Sequence, residues 1–324
     1  MPLENAETRG TARVARELDG ILNVNKPAGL SSHDVVCRVR KITGQKKVGH
    51  AGTLDPLATG VLLICLGQAT RVSQYLMSGS KTYRATIRLG ISTDTYDSEG
   101  RITSQGPVDV TLLQIERVLE GFVGALEQTP PMYSALKHEG TPLYRLARRG
   151  ETVFRPPRRI EISSVRLLNW ASPDLEIEVG CSKGTYIRSL AHEVGQRLGC
   201  GGHLRGLTRT ASGPFRLAEA VTLERLAEAF TRGEGGSLLL PSDAALADLP
   251  STTVDSATAD DLANGRRAAL DVPEHYSLCR VYTTEGELLA LAQPEGEGLW
   301  RPYKVFRRSQ RDGPAGETTT CAAA

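Results

Sequence analysis

The sequence predicts an α+β protein with a small β-rich module towards its C-terminal end. Three observations predict it. Strand-period alternation runs through 81–91, 160–165 and 175–181. Capped segments with apolar residues at helical spacing lie between the strands. After the string Gly233-Glu234-Gly235-Gly236-Ser237 the pattern changes to short strands with tight turns.

Taken in order, residues 21–25 alternate as a strand and Lys26-Pro27-Ala28-Gly29 turns the chain. Ser32 is placed to cap a helix whose apolar face is Val35, Val36, Val39 and Ile42, stopped at Gly44. The run 61–66 is short, apolar and closed by Gly67, so it reads as a buried strand. Residues 69–77 have helical spacing. In 81–91, Tyr83, Ala85, Ile87 and Leu89 share one face. Thr111 and Gln114 form a capping box for a helix that turns Ile115, Val118, Leu119 and Phe122 inward.

Residues 129–159 differ. Thr129-Pro130-Pro131 breaks the chain, Thr141 can cap a short helix over 142–149, and Gly150 closes it. Arg145, Arg148, Arg149, Arg155, Arg158 and Arg159 lie within the segment's last fifteen residues, opposed there only by Glu151. The segment reads as an inserted flap. Strands over 160–165 and 175–181 follow. Gly184-Thr185 opens a helix with Ile187, Leu190, Ala191, Val194 and Leu198 on its apolar side, and a strand over 203–210 and a helix over 222–230 come next. Past the glycine-rich string, taken as a linker, Thr258 caps a short helix ending at Gly265. A hairpin over 278–283 and 288–292 turns at Glu285-Gly286, and a last strand covers 300–306. The expected division is an extension at 1–19, a main domain at 20–236, a small module at 243–309 and a disordered tail at 310–324.

Charge is uneven. Residues 20–225 carry 27 Lys and Arg against 18 Asp and Glu, whereas 226–324 carry 9 against 15. The main domain is thus the part expected to meet a polyanion. No apolar run is long enough to span a membrane, and residues 1–19 lack the apolar core of a secretory signal. The six cysteines show no C-x-x-C spacing and read as reduced thiols of a cytoplasmic protein. Cys321-Ala322-Ala323-Ala324 has the form of a prenylation box, but without an accompanying basic stretch it reads as an incidental tail.

The chemistry centres on His50-Ala51-Gly52-Thr53-Leu54-Asp55-Pro56-Leu57-Ala58-Thr59-Gly60. Gly52, Pro56 and Gly60 exclude a regular element, so the string is a tight loop presenting one acid at a sheet edge. An isolated Asp-Pro is ordinarily a turn; the whole string is harder to explain that way. No histidine stands at metal-ligand spacing, and no phosphate loop, G-x-S-x-G or dinucleotide fingerprint occurs. Candidate neighbours of the acid are Tyr83 at a strand start, and Tyr186 and Arg188 at a helix start. A lone acid needs a cation to keep it ionised and aimed. Tyrosines beside it suit a flat base, since stacking is worth about 1–3 kcal/mol per base. Singly, each tyrosine is more often packing and Arg188 more often a surface cation. The residues point to base chemistry on nucleic acid without naming the reaction; one aspartate serves isomerisation or glycosidic hydrolysis.

The strings Lys26-Pro27-x-Gly29-x-Ser31-Ser32, His50-x-Gly52-Thr53-Leu54-Asp55-Pro56-x-Ala58-x-Gly60, Lys81-x-Tyr83, Gly184-Thr185-Tyr186-Ile187-Arg188 and Leu204-Arg205-x-Leu207-x-Arg209 resemble, in that order, the bacterial TruB family of tRNA pseudouridine synthases. The resemblance covers about residues 20–230, more weakly the small module, which would be PUA-like. It implies the pseudouridine synthase fold, a mixed and largely antiparallel central sheet flanked by helices. It implies isomerisation of the T-loop uridine at tRNA position 55, flipped out of the T arm, without cofactor or metal, by a cytoplasmic monomer with no obligatory protein partner. On this resemblance Asp55 is the nucleophile, at C1′ or C6; Arg188 pairs with it; and Tyr83 stacks on the base and carries the C5 proton. Tyr186 and Leu207 wall the pocket, His50 fills the space left by flipping, Lys26 supports the loop, and Arg71 makes a minor RNA contact. The rival class is an RNA-binding or tRNA-folding module in which catalysis is secondary or lost.

Overall fold

The structure, a computed structural model, describes residues 18–306 and divides between Leu240 and Pro241 into two units. The first begins with β1 (Gly20–Lys26), α1 (Ser32–Thr43), β2 (Val48–Ala51) and β3 (Thr59–Leu66). A 3₁₀ turn (Gly67–Val72) and α2 (Ser73–Ser78) lead to β4 (Lys81–Leu89), so the segment read as one helix over 69–77 is two pieces. Then come β5 (Ile91–Thr93), β6 (Ile102–Gln105), α3 (Leu112–Glu120) and β7 (Gly124–Gln128). The arginine-rich insert holds β8 (Lys137–His138), β9 (Thr141–Pro142) and α4 (Leu143–Arg148). After it run β10 (Arg158–Ala171), β11 (Asp174–Cys181), α5 (Ile187–Arg197), β12 (Gly202–Ser212), β13 (Phe215–Arg216) and α6 (Leu223–Thr231).

Nine of these strands form one sheet among the described residues, in the order β1-β3-β12-β4-β11-β10-β7, with β13 on β12 and β2 on β3. Every pairing is antiparallel except that of β3 with β12. Leu22, Ile64, Ile87 and Ile177 of the sheet pack with Val35 and Val39 of α1 and Leu190 and Val194 of α5. Each such fully buried side chain contributes about 1.5–3 kcal/mol. One register detail matters for the site. β1 runs beside β3 along its whole length, but β3's other edge is shared. There β2 pairs with Leu63 to Leu66, whereas β12 pairs only with Thr59 and Gly60. The loop 52–58 therefore leaves the sheet where β12 replaces β2 as β3's neighbour.

Local chemistry corrects several expected boundaries. The cap of α1 is Ser31, not Ser32: its hydroxyl accepts from the Asp34 amide at 3.1 Å and the Asp34 carboxylate returns to the Ser31 amide at 2.8 Å. Ser32 instead faces the loop. Thr111 and Gln114 do form the capping box of α3. Thr141 does not cap α4; it pairs in the β8–β9 ribbon, and Pro142, with no side-chain donor or acceptor to offer, precedes the helix. The strand read over 160–165 extends to fourteen residues. The glycine-rich 233–237 stretch is not a loose connection. It forms a 3₁₀ turn (Gly235–Leu238), and a Cβ on buried Gly235 would lie 2.4 Å from the Phe230 ring. Beyond it Leu240 exchanges two 2.8 Å backbone hydrogen bonds with Ile21.

The second unit has a five-stranded sheet ordered β14 (Ser251–Val254), β16 (Cys279–Thr283), β17 (Leu288–Gly296), β18 (Leu299–Val305) and β15 (Ala268–Ala269), with α7 (Ser256–Ala263) packed on it. Its core gathers Leu262, Val281, Ala290 and fully buried Trp300. Asp255, not Thr258, caps α7, accepting from the Thr258 amide at 2.8 Å. The expected hairpin turn is present, with Gly286 at φ +79°. The tail 310–324, with its Cys321-Ala322-Ala323-Ala324 end, and nearly all of the 1–19 extension lie outside the described residues.

Candidate active site

The loop that carries Asp55 is fastened by buried polar side chains from three directions. From the turn after β1, the fully buried Lys26 Nζ donates to Pro27 O at 2.8 Å and Pro56 O at 3.2 Å. From the first turn of α1, Ser32 Oγ accepts from the Leu54 amide at 2.8 Å and donates to the Leu54 carbonyl at 3.1 Å. From β12, the buried Arg209 donates through Nε to Val61 O at 2.7 Å and reaches Thr53 O and Gly52 O at 3.4 Å with its terminal nitrogens. Loop carbonyls that leave a sheet need such partners, because an unpaired buried polar group costs about 1–3 kcal/mol. Gly60 makes the Arg209 arrangement possible: it lies at φ +98°, and a Cβ there would sit 2.3 Å from the Arg209 carbonyl oxygen.

Asp55 projects from this loop into contact with Arg188, the second residue of α5. Arg188 Nη2 donates to Asp55 Oδ1 at 3.2 Å, and Nε lies 2.9 Å from Oδ2 in ion-pair contact, without hydrogen-bond alignment. The guanidinium is 5% exposed and the carboxylate 34% exposed, so the cation is set in the protein and the acid is offered to the opening. Arg188 has further acceptors. Nη1 lies 3.4 Å from Asp97 Oδ2 and donates to Thr95 O at 3.3 Å, and Nη2 donates to Tyr133 O at 2.9 Å.

A cavity of about 600 Å³ opens over the pair, lined by Asp55, Tyr83, Tyr186, Leu207, Arg158 and Lys183 among others. That size lies in the range of about 300–1,000 Å³ common for small-molecule sites. Tyr83, on β4, is buried; burial pushes its pKa up, opposed by the charge of Arg209 and a hydrogen bond from it. Tyr186 is likewise raised by burial. Both are neutral phenols at pH 7. Burial lowers Lys26 to about 8, against the attraction of Asp55.

The chain matches the TruB family pseudouridylate synthase N-terminal domain over residues 40–187 and the tRNA pseudouridylate synthase B C-terminal domain over 188–247. It is similar to the tRNA pseudouridine synthase B of Dehalococcoides mccartyi (strain CBDB1), 48% identical over 292 residues that span 90% of this chain and 97% of that one. The chain belongs to the TruB family. The corresponding protein of Methylobacillus flagellatus is 42% identical over 297 residues, 92% of this chain and 98% of that one. Among solved structures, an H/ACA RNP bound to a substrate RNA containing 2'-deoxyuridine matches with TM-score 0.69 and 26% identity, over 94% of this chain and 93% of that one. A Cbf5-Nop10-Gar1 complex matches with TM-score 0.67 and 30% identity, over 85% and 78%. The fold is that of the pseudouridine synthases.

In this TruB-family site, Asp55, Tyr83, Tyr186, Arg188 and Leu207 meet in one cavity although they come from separate stretches of sequence. Lys26 stands behind the loop, not in the cavity lining. His50, on β2, is half-buried and also outside that lining; burial and the Arg209 charge lower its pKa, so its ring is neutral at pH 7. Arg71 is exposed at the end of the 3₁₀ turn Gly67–Val72 and does not line the cavity. Three residues that the sequence reading assigned no role matter to the site. Arg209 braces both the loop and Tyr83. Asp97 is buried and shares Arg188 with Asp55. Gln128 accepts from the Tyr186 amide at 2.8 Å and donates to its carbonyl at 3.0 Å, fixing the entry to α5. The sequence signal for Asp97 is no more than a polar run, Thr93-Asp94-Thr95-Tyr96-Asp97, directly after a strand. Among the described residues no group of three or more His, Cys, Asp and Glu is arranged to hold a metal.

Proposed function

We propose that this protein isomerises uridine to pseudouridine in tRNA, at the T-loop uridine of tRNA position 55, with Asp55 as the nucleophile. The observation that carries the reading is the Asp55–Arg188 pair at the mouth of a cavity walled by two neutral tyrosines and Leu207. The uridine flips from the T arm into this cavity. Flipping costs a few kcal/mol, offset by stacking on the Tyr83 ring and by His50 occupying the space left in the RNA. Asp55 attacks C1′ or C6; the C1′–N1 bond breaks, the uracil turns, and C5 joins C1′. The C5 hydrogen leaves as a proton and N1 takes one up, so the product has the mass of the substrate. Tyr83, being neutral, takes the C5 proton only by handing on its own in the same step.

The exposed Arg145, Arg148 and Arg149 of the insert supply phosphate attraction, and the small C-terminal unit acts as a PUA-like auxiliary RNA contact. The relatives at 42–48% identity are named for this activity on tRNA. The intact set of Asp55, Tyr83 and Arg188 disfavours an RNA-folding module that has lost catalysis. The enzyme acts as a cytoplasmic monomer; among the described residues no helix is long and apolar enough to cross a membrane. The test is carbodiimide labelling of a T-arm stem-loop RNA after incubation with the protein. A new label at the T-loop uridine without change of mass is expected, and its loss in Asp55→Asn with RNA affinity held within a few-fold. Turnover of Asp55→Asn at a tenth of wild type would rule out the nucleophile assignment.

A further inference from the structure

Two aromatic rings sit beside the Arg188–Asp97 contact, and neither lines the cavity. Tyr96 immediately precedes Asp97, and His192 follows Arg188 by one helical turn on α5. Their ring centroids are 4.0 Å apart and the planes differ by 16°, a parallel stack. Residues four apart share a helix face, so the stack and the ion pair lie side by side and join the same two elements, the 94–97 turn and α5.

The turn is held to the sheet by other means. The Leu204 amide donates to Tyr96 O at 2.9 Å and the Ser98 amide to Leu204 O at 3.0 Å. Those bonds fix the turn to β12 and leave its approach to α5 open. What spans the gap to the helix is Arg188, through Asp97 at 3.4 Å and the Thr95 carbonyl at 3.3 Å, and the ring stack. Tyr96 also occupies φ +64°, a left-handed conformation that a bulky residue adopts only when its surroundings hold it there.

We infer that the Tyr96–His192 stack is a second clasp between the 94–97 turn and α5, and that both are positioning residues which keep Asp97 and Thr95 on Arg188 and so aim Asp55. The inference rests on the proposed activity for its kinetic arm only. Loss of either ring lets the turn shift from the helix, loosens two of the acceptors that orient the Arg188 guanidinium, and leaves RNA binding alone.

The experiment compares wild type with Tyr96→Ala, His192→Ala, the double variant, Tyr96→Phe and Tyr96→Gly on a T-arm stem-loop RNA, with amide exchange followed at residues 95–98. The two alanine variants should lose roughly 3- to 10-fold in kcat, the size of one aromatic pair, with KM changed less than about two-fold. The double variant should be no slower than the slower single, because only one interaction is removed. Tyr96→Phe keeps the ring and should turn over like wild type. Tyr96→Gly relieves the left-handed backbone, so it should fold well and still be slow. Amides 95–98 should exchange faster in every variant lacking a ring. Unchanged kcat in Tyr96→Ala and Tyr96→Gly, a rise in KM alone, a slow Tyr96→Phe, or unchanged exchange would each overturn the clasp. A wild-type chain without turnover would sink the proposed activity instead, and exchange alone would then decide the clasp.

Discussion

Arg188 is shared between Asp55 and Asp97, one carboxylate 34% exposed at the cavity and the other 6% exposed behind it. The two acids hold one guanidinium from opposite demands. Asp55 is the group offered to a substrate; Asp97 has no such exposure, and its Oδ1 is taken by the Thr95 hydroxyl at 2.6 Å and the Glu99 amide at 3.1 Å. Asp97 thus fixes the cation, and the cation fixes Asp55. Asp97→Ala should lower kcat by about 10- to 100-fold, the cost of a misplacement on the order of 1 Å, while KM stays within a few-fold. Single-turnover kinetics on a T-arm stem-loop measures it; a variant as fast as wild type would separate Asp97 from catalysis. Arg188→Lys should be slower still, since an ammonium cannot serve both carboxylates and two carbonyls with a planar fork.

Lys26 gives a pH dependence with a definite sign. Burial lowers its folded pKa from 10.5 to about 8. Between about pH 8 and 10.5 the unfolded chain therefore holds a proton that the folded chain has released, so stability from this group rises with pH across that window and is flat below it. Relative to Lys26→Met, wild type should gain about 1–3 kcal/mol between pH 7.5 and 10. Denaturant titrations of both proteins at the two pH values test this. A constant difference would mean that Lys26 titrates normally.

Much of the site was legible because glycine and proline mark backbone that no regular element can adopt. Gly52, Pro56 and Gly60 located the Asp55 loop, and the structure shows Gly60 yielding space to Arg209. Lys26 was expected to support the loop, and its Nζ does reach Pro56 O; the bracing by Arg209 was not legible. Arg209 lies on a strand whose neighbours alternate, and nothing local says that its side chain folds back to the Gly52 and Thr53 carbonyls of the loop and the Val61 carbonyl of β3, some 150 positions earlier. Asp97 reads as a turn residue because the turn is local and the cation it serves is not. The cap of α1 was readable and misread: Ser31, three before Asp34, completes a capping box that Ser32 cannot. The stretch 233–237 shows the limit of composition. Gly235 there meets a packing need against Phe230, and the same letters spell a flexible connection.

The insert separates affinity from chemistry. Arg145, Arg148 and Arg149 are exposed, whereas Arg155 donates to Pro130 O at 3.0 Å and Tyr133 O holds Arg188. Deleting the whole segment would therefore disturb Arg188. Replacing only Arg145, Arg148 and Arg149 by alanine should weaken RNA binding at every salt concentration tested. It should also lower the slope of log K against log salt by up to about 3, close to 0.9 for each phosphate no longer neutralised. Filter binding from about 50 to 300 mM salt measures it, and an unchanged slope would mean that these arginines do not touch phosphate.

The C-terminal unit has its own sheet and core, and its charge is mostly acidic. In 241–306 Arg266, Arg267, Arg280, Arg301 and Lys304 face a larger number of carboxylates; Arg266 already pairs with Asp261 at 3.1 Å, and Arg280 is bound to the Leu249 carbonyl at 2.8 Å. Arg307 and Arg308 lie outside the described residues. Such a field repels phosphate over most of its surface, so the unit's part in RNA binding should be subsidiary. Where the chain is cut decides whether this can be tested. Ending at 236 would remove Leu240, which closes the edge of β1 through two backbone hydrogen bonds to Ile21. Ending at 240 keeps that pairing and the Gly235–Phe230 packing. A chain of residues 1–240 should retain turnover on a T-arm stem-loop within about three-fold and bind full-length tRNA about three- to ten-fold more weakly, roughly 0.7–1.4 kcal/mol. If it stays folded by circular dichroism yet no longer modifies the stem-loop, the C-terminal unit supports the catalytic site itself and the division of labour drawn from charge fails.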